Sequence, residues 1–150
     1  MKLVRRLARR LRSGEETGSI PLELAILAPA GLLIISVVIF AGRVALAHQS
    51  LDGAAASAAR EASISRTQPA ANSAATAAAA QTLTQQGLDC ATTSVSVDTT
   101  GFASPAGTPA TITATVTCVV PLADLAIPGI PGSMTITGNA SSPLDTYRER

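Results

Sequence analysis

Residues 20–42 read IPLELAILAPAGLLIISVVIFAG, an apolar run whose only ionisable side chain is Glu23. At ~1.5 Å per residue, a helix of this run would be about 35 Å long, which is enough to cross the hydrocarbon core of a bilayer. We therefore predict a transmembrane helix over residues 19–47. No other segment of the chain gives so strong a structural signal.

A secretory signal peptide is the alternative interpretation of the same region. Ala45-Leu46-Ala47 has the small residues that signal peptidase requires, and the chain begins with a basic segment. The apolar cores of signal peptides run roughly 7 to 15 residues. This run is longer and is followed by Arg43, close before the Ala-Leu-Ala triplet. A secreted protein with its signal peptide cut after Ala47 therefore stays open as a second alternative, after the uncleaved anchor described below.

The charges are distributed unevenly along the chain. Residues 1–18 contain six basic and two acidic side chains, a net +4, whereas residues 19–150 contain five basic and eight acidic ones, a net −3. Basic residues beside a span are retained on the cytoplasmic side and attract anionic lipid. We expect a basic cytoplasmic leader over residues 1–18, a single span of the inner membrane and a carboxyl terminus outside. No aromatic residue interleaves the arginines, so nucleic acid is not an expected partner.

The composition argues against a catalytic function. Charged residues make up 14% of the chain, and its three aromatic residues are Phe40, Phe102 and Tyr147. His48 is the only histidine, and the acidic residues beyond the apolar run are scattered, so no nucleophile–base pair or paired carboxylates can be recognised. The cysteines lack CxxC spacing, which argues against a metal site. We predict a protein that is not an enzyme and binds neither cofactor nor metal.

Two helices are expected outside the membrane. Residues 44–66 contain no proline and are rich in alanine, so the first helix should continue to Arg66. Residues 70–86 have the same character, and Gly87 is suited to end a helix at its carboxyl terminus. The residue before a proline disfavours helix, which places a break at Gln68. We therefore predict extracytoplasmic Ala-rich helices over residues 48–87.

The last part of the chain changes to the two-residue period of strands. Residues 111–120 read TITATVTCVV and alternate apolar side chains with threonines. Shorter alternations of the same kind involve Val95 and Val97, and Met134, Ile136, Gly138 and Ala140. We predict a small three-stranded antiparallel sheet within residues 88–150, with one face packed on a helix. The fold class is α+β.

A disulfide is expected between Cys90 and Cys118. Both cysteines follow the predicted span, in the compartment where thiols are oxidised. Closing this loop restricts the unfolded chain by about 3.6 kcal/mol on the chain-entropy estimate. Such a contribution matters for a sheet with so few aromatic residues.

Residues 18–29, GSIPLELAILAP, resemble the class III signal of type IV-like prepilins. Within that class the chain resembles the TadE/TadG-like pseudopilins of the tight-adherence (Tad, or Flp) pilus system. The resemblance rests on Gly18, Glu23, Ala25 and Pro29, followed by an apolar helix. It implies that a prepilin peptidase cuts between Gly18 and Ser19. It also implies that Glu23 sets subunit register by neutralising a neighbour's amino terminus.

The predicted function follows from the resemblance and from the residues together. We expect a minor pilin subunit of a Tad/Flp-type surface pilus, whose partners are the peptidase, other pilin subunits and the assembly machine. Leu24 stands where many major Flp pilins have an aromatic residue, which favours a minor subunit. Pro29 should kink or loosen the helix. An uncleaved single-span anchor that carries an extracytoplasmic scaffold is the alternative from a different functional class.

Overall fold

A computed structural model describes the backbone of residues 19–105, 107–125 and 131–145, and the side chains of these residues except 19–22, 124 and 125. The predicted leader, residues 1–18, lies outside the described residues. By internal contacts the chain divides into two compact units, Met1–Ile39 and Phe40–Arg150.

Helix α1 (Ser19–Ile64) begins in the first unit and ends in the second. Between Leu24 and Ile39 its large apolar side chains are exposed by 52% to 68% of their area. A helix that is apolar on all sides belongs in an apolar environment. Among the described residues it is the one helix long and apolar enough to cross a membrane, and none of its most apolar window is buried within the protein. This agrees with the predicted span.

The second unit has two layers, helices on one face of a sheet. Helix α2 (Gln68–Gln85) follows α1 and precedes the three strands β1 (Thr92–Asp98), β2 (Thr111–Pro121) and β3 (Ser133–Pro143). The strands are antiparallel in the order β1-β2-β3, so β2 is central. A 3-10 helix (Thr100–Ala103) follows β1, and a one-turn helix, α3 (Leu122–Leu125), follows β2. The predicted α+β fold and three-stranded antiparallel sheet are confirmed.

The core of this unit consists mainly of small side chains. Alanines at three- and four-residue spacing put one buried stripe on each helix, because such positions share a helix face. Helix α1 contributes Leu51 and several alanines, and α2 contributes alanines and Leu83. The fully buried alanines of the two helices are Ala54, Ala55, Ala58, Ala59, Ala62, Ala71, Ala75 and Ala79. Alternate residues of β2, from Ile112 to Val120, complete the core, as the two-residue period predicted.

Helix α2 has clear signals at both ends. The Thr67 side chain accepts a hydrogen bond from the Ala70 backbone N–H at 3.3 Å, which makes it the N-cap. The helix therefore begins at Gln68, earlier than predicted, because Pro69 falls in the first turn, where a missing N–H is tolerated. Gly87 has φ +66°, and the Leu88 N–H donates to the Leu83 carbonyl at 3.1 Å. This is a Schellman motif, so Gly87 ends the helix as expected.

Helix α1 crosses strand β3 at Gly138 without an intervening side chain. A Cβ placed on Gly138 would lie 2.6 Å from the Leu51 carbonyl oxygen and 2.7 Å from the Asp52 nitrogen. Further along, the Ser142 hydroxyl donates to the Ser63 hydroxyl oxygen at 3.0 Å, again joining β3 to α1. Gly138 thus permits the close approach that packs the alanine stripe of α1 on the sheet.

Candidate functional site

The predicted processing site lies at the amino-terminal limit of the residues that the structure describes. Ser19 is the first residue of the helix, and Gly18 lies outside the described residues. The first four N–H groups of a helix have no intrahelical acceptor and carry a partial positive charge. A chain that began at Ser19 would add the charge of its α-amino group to this helix end.

Glu23 is the fifth residue of α1, and its side chain is exposed. No other charged residue occurs from Ser19 to Gly42. An exposed carboxylate on an apolar helix is costly inside lipid, where a charge at the bilayer centre costs ~2.5 to 3.5 kcal/mol by insertion measurements. Glu23 is therefore suited to ionic contact with a cation outside its own helix, or to a place at the membrane surface.

Pro29 lies inside α1. It has no backbone N–H, so it cannot donate the helical hydrogen bond to the Ala25 carbonyl. About two turns further on, the Ser36 hydroxyl donates to the Leu32 carbonyl at 2.8 Å, so this polar group is satisfied within the helix. Whether Pro29 kinks the helix stays a prediction.

The predicted disulfide is present. Cys90 and Cys118 are bonded, with their Cα atoms 5.5 Å apart. Cys118 is fully buried on the central strand, and Cys90 lies just before β1. The bond therefore fixes the connection between α2 and β1 to the middle of the sheet.

The structure also has a cleft that the sequence analysis missed. It has a volume of about 200 Å³ and lies between α1, the end of α2 and the α2–β1 connection. Its lining includes both Arg43 of α1 and Asp89 of the connection. The only signal for it in the sequence was a helix-ending Gly87 followed by an acid and a cysteine, which is too short a pattern to identify a site.

The described residues contain no group of three His, Cys, Asp or Glu side chains that could hold a metal ion. His48 lies exposed on α1. Asp98 is the acid whose environment is distinctive, because its carboxylate accepts the Thr100 backbone N–H at 3.0 Å. That hydrogen bond, with a second from the Thr100 side chain, lowers the pKa of Asp98 below its ordinary 3.8.

Comparison with known proteins gives one finding. Neither the curated proteins nor the solved structures gave a match to this chain. Residues 18–60, which start at the predicted cleavage glycine and include Glu23 and Pro29, match the model of a protein family. The description of that family is TadE-like protein. Over this amino-terminal segment the chain is thus similar to TadE-like proteins, and with its apolar helix this indicates a membrane-anchored, Tad pilus-associated protein.

Proposed function

We propose that this chain is a prepilin-like minor subunit of a Tad/Flp-type pilus. It enters the inner membrane with its basic leader, residues 1–18, in the cytoplasm and its carboxyl terminus outside. Residues 19–47 then form the membrane segment, residues 48–87 the extracytoplasmic helices and residues 88–150 the small β region. The observation that carries the proposal is an apolar helix, exposed on all sides, that begins at Ser19 and bears one acid at Glu23.

Processing between Gly18 and Ser19 is the first step of the proposed function. The family match supports it, because the matched segment, residues 18–60, starts at Gly18. Cleavage would remove six basic side chains and leave a mature chain with net charge −3. The anionic inner surface would then attract the amino terminus less strongly.

Glu23 would set the axial register between neighbouring subunits in the filament. After cleavage, the new α-amino group and the Glu23 carboxylate are opposite charges near one end of each helix. A carboxylate can approach the amino terminus of a neighbouring subunit, and each pairing removes two uncompensated charges from an apolar surrounding. Only one stagger between neighbours brings the two groups together, because the helix has no other acid from Ser19 to Gly42.

The exposed side chains of α1 support assembly as well as membrane insertion. Residues such as Leu33, 68% exposed, have no partner within the described part of the chain. Lipid covers this surface first, and the helices of neighbouring subunits cover it in a filament. Pro29 would ease extraction from lipid, because the missing hydrogen bond loosens the helix.

Two alternatives lead to different mature chains. An uncleaved anchor would keep the leader, and a secreted protein would lose everything up to Ala47. Ala47 lies within α1 and is only 3% exposed, packed in the core of the second unit. Cleavage after Ala47 would cut the helix and remove a core residue. This argues against a secreted protein and favours the processed pilin subunit or the uncleaved anchor.

Intact-mass measurement of the protein purified from membranes tests the processing step. The proposal predicts a chain that begins at Ser19 and lacks the first eighteen residues. Gly18→Leu should prevent the cut, whereas Gly14→Leu, which changes another glycine of the leader, should not. A mature chain that still begins at Met1, or that begins at His48, would contradict the proposal.

Filament incorporation tests the register role. Removing one partner of a buried ion pair costs about 3–5 kcal/mol, so Glu23→Ala should lower incorporation into sheared pili by about tenfold or more. The cleaved fraction should stay near the wild-type value. Glu61→Ala, which removes an exposed acid further along α1, is the matched control and should incorporate normally. Normal incorporation of Glu23→Ala would refute this role.

A further inference from the structure

The outer edge of strand β3 has backbone hydrogen-bonding groups that the fold does not use. At one end of the β2–β3 ladder the Leu122 N–H donates to the Gly132 carbonyl at 3.0 Å. At the other end the Leu144 N–H donates to the Ala110 carbonyl at 2.8 Å. Every second residue of an antiparallel pair bonds to the neighbouring strand, so the even-numbered residues of β3 bond to β2. The odd-numbered residues, Ser133 to Ser141, therefore direct their N–H and C=O groups to the free edge.

Strand β1 has a second, shorter free edge. The odd-numbered residues of β2 bond to β1, and pairs such as Thr115 with Ser96 place the even-numbered residues of β1 in that ladder. Thr93, Val95 and Val97 therefore direct their backbone groups away from the sheet. Among the described residues, the groups at these two edges have no hydrogen-bond partner. The sheet thus ends on both sides in unpaired backbone groups.

Neither edge has the features that keep sheets from pairing. Proteins protect exposed edges with charged side chains, with proline or with very short strands. Residues 92–97 and 133–142 contain no charged residue and no proline, and β3 is eleven residues long. On the outward face the hydroxyls of Thr117 and Thr137 already pair across two strands at 3.3 Å. Such edges are suited to strand addition, in which another strand continues the sheet.

The direction of α1 limits how two copies can pair. The Leu51 backbone lies against Gly138 and the Ser63 hydroxyl is bonded to Ser142, so α1 and β3 run the same way. An antiparallel pairing of two β3 edges would therefore point the Phe40 ends of the two helices in opposite directions. An antiparallel pairing of two β1 edges would do the same, because β1 and β3 are both antiparallel to β2. Copies inserted in one membrane in the same sense cannot pair in this way.

We propose that copies of this chain associate head to tail, with β3 of one copy adding in parallel to β1 of the next. All copies then have the same orientation, as one membrane requires. Each bonding residue of β1 lies opposite a residue of β3 that does not bond to it. Val95 and Val97, which pack against the core, therefore lie opposite core-facing residues such as Ile136. The core-facing sides of the two sheets thus coincide.

The helices also continue from copy to copy. Helix α1 packs on β3 and α2 contacts β1, and both belong to the core on one face of the sheet. In the proposed arrangement α1 of one copy therefore lies beside α2 of the next. Two packed helices occupy about 16–20 Å, whereas three strands occupy about 14 Å. Successive copies must therefore be rotated, with the helices on the wider outer side.

The proposal rests on one part of the proposed function, the insertion of α1 into the membrane in a single direction. It does not depend on cleavage after Gly18 or on the contact of Glu23. It goes beyond the proposed function because it assigns a second copy of this chain as the partner of the β region. Its consequence is that these subunits enter a filament as a row rather than singly.

Disulfide trapping in isolated inner membranes tests the proposal. Full-length copies that carry Ser96→Cys are co-expressed with differently tagged copies that carry Thr135→Cys, Thr137→Cys or Asn139→Cys, and the membranes are oxidised with copper phenanthroline. These positions are exposed on the outward face of the sheet, so they become neighbours when β1 follows β3. The native cysteines are already joined in a disulfide and do not compete.

The yield of mixed dimers is the measured quantity. The best of the three pairs should give about tenfold more mixed dimer than the control pair of Ser73→Cys with Thr137→Cys. Ser73 is an exposed residue of α2, so this control measures random collision in the membrane.

Edge variants locate the contact within the trapping pair of Ser96→Cys and Thr137→Cys. Thr135→Pro removes an N–H of the free edge and leaves the β2–β3 ladder intact, and Asn139→Lys adds a charge at the same edge. Each should lower the yield about threefold to tenfold. Asn139 is exposed, so its variant tests the edge even where the proline disturbs the strand. Ser73→Lys is the matched control for the added charge and should leave the yield unchanged.

Three results would overturn the proposal. A yield no higher than that of the Ser73→Cys control at all three β3 positions would exclude the contact. Stronger trapping between two Thr137→Cys copies would mean that β3 edges pair with each other. An undiminished yield in Asn139→Lys would mean that the copies do not meet at this edge. Carbonate extraction checks insertion separately. An inserted chain without trapping refutes the head-to-tail contact and leaves the pilin proposal intact, whereas a chain that carbonate removes refutes both.

Discussion

Gly138→Ala tests whether the close contact between α1 and β3 holds the second unit together. The new methyl group would lie 2.6 Å from the Leu51 carbonyl oxygen and 2.7 Å from the Asp52 nitrogen. It would also contact the Leu51 carbonyl carbon. Ordinary contacts between heavy atoms are about 3.5–4.0 Å. Because all three neighbours are backbone atoms, no rotamer change relieves the overlap, and the helix must move from the sheet by about 1 Å.

The energetic cost follows from that displacement. A radial gap of about 0.5–1 Å forfeits a quarter to a half of the dispersion energy between the surfaces it separates. Overpacking of a core costs about 1–3 kcal/mol, and a clash with backbone belongs to the upper part of this range. The lower entropy of the unfolded chain with alanine offsets about 0.4–1 kcal/mol. We expect a net loss of about 2 kcal/mol.

Hydrogen exchange of the full chain in detergent micelles measures this loss. Val116, the β2 partner of Gly138, lies on the central strand, so its amide should report opening of the whole unit. A loss of about 2 kcal/mol should raise its exchange rate about thirtyfold. Gly42→Ala is the matched control, because a Cβ there meets nothing within 4 Å. It should leave exchange unchanged or slow it slightly.

Exchange of the Val116 amide at the wild-type rate in Gly138→Ala would refute a role for this close contact in holding the second unit together. That result would mean that α1 and β3 adjust without loss of packing. Faster exchange in Gly42→Ala as well would also count against it, since the effect would then come from any added methyl group.

Three further substitutions test local features of the second unit. Cys90→Ser should lower the free energy of unfolding by about 3.6 kcal/mol, measured by thermal unfolding, because the unfolded chain loses its cross-link. Thr67→Ala should cost about 1 kcal/mol in the same assay, since the Ala70 N–H loses its cap. Asp98→Asn should reduce the loss of stability on acidification. The hydrogen bonds from Thr100 lower the pKa of Asp98, so the ionised carboxylate stabilises the fold above pH about 4. This stabilisation is lost as the pH falls through the pKa of the folded state, which lies below 3.8.

Controls and contrary results follow from the same contacts. Reduction with dithiothreitol should lower wild-type stability and leave Cys90→Ser unaffected, and a variant as stable as wild type would contradict the role of the disulfide. Thr76→Ala removes a hydroxyl that donates within α2 to the Asn72 carbonyl, and it should be nearly neutral. An acid-unfolding profile of Asp98→Asn identical to that of wild type would show that the contact between Asp98 and Thr100 does not contribute to stability.

The outline of the fold could be predicted because it depends on local patterns. The uninterrupted apolar run can be satisfied only by an apolar surrounding, and the alternation from Thr111 to Val120 fits only a strand with one buried face. The pairing of Cys90 with Cys118 follows from there being two cysteines in the chain. The start of α2 was misplaced because Thr67 caps the helix and Pro69 is tolerated in its first turn.

The candidate site was predictable to a smaller extent. Glu23 and Pro29 are conspicuous in an apolar helix, so the sequence singles them out without any knowledge of the fold. The cleft between Arg43 and Asp89 is different. Its two walls are far apart in the chain, and neither residue is unusual in its own segment.

The sequence alone therefore determined the membrane helix, the order of helices and strands, and the disulfide, since each depends on residues close in the chain or on a unique pair. Only the tertiary structure decided why position 138 is glycine and that Arg43 and Asp89 line the same cleft. Both depend on which face of α1 packs on the sheet. The alanine stripe in the sequence indicates that α1 has a buried face. The close approach of the α1 and β3 backbones at Leu51 and Gly138 decides that the sheet packs against this face.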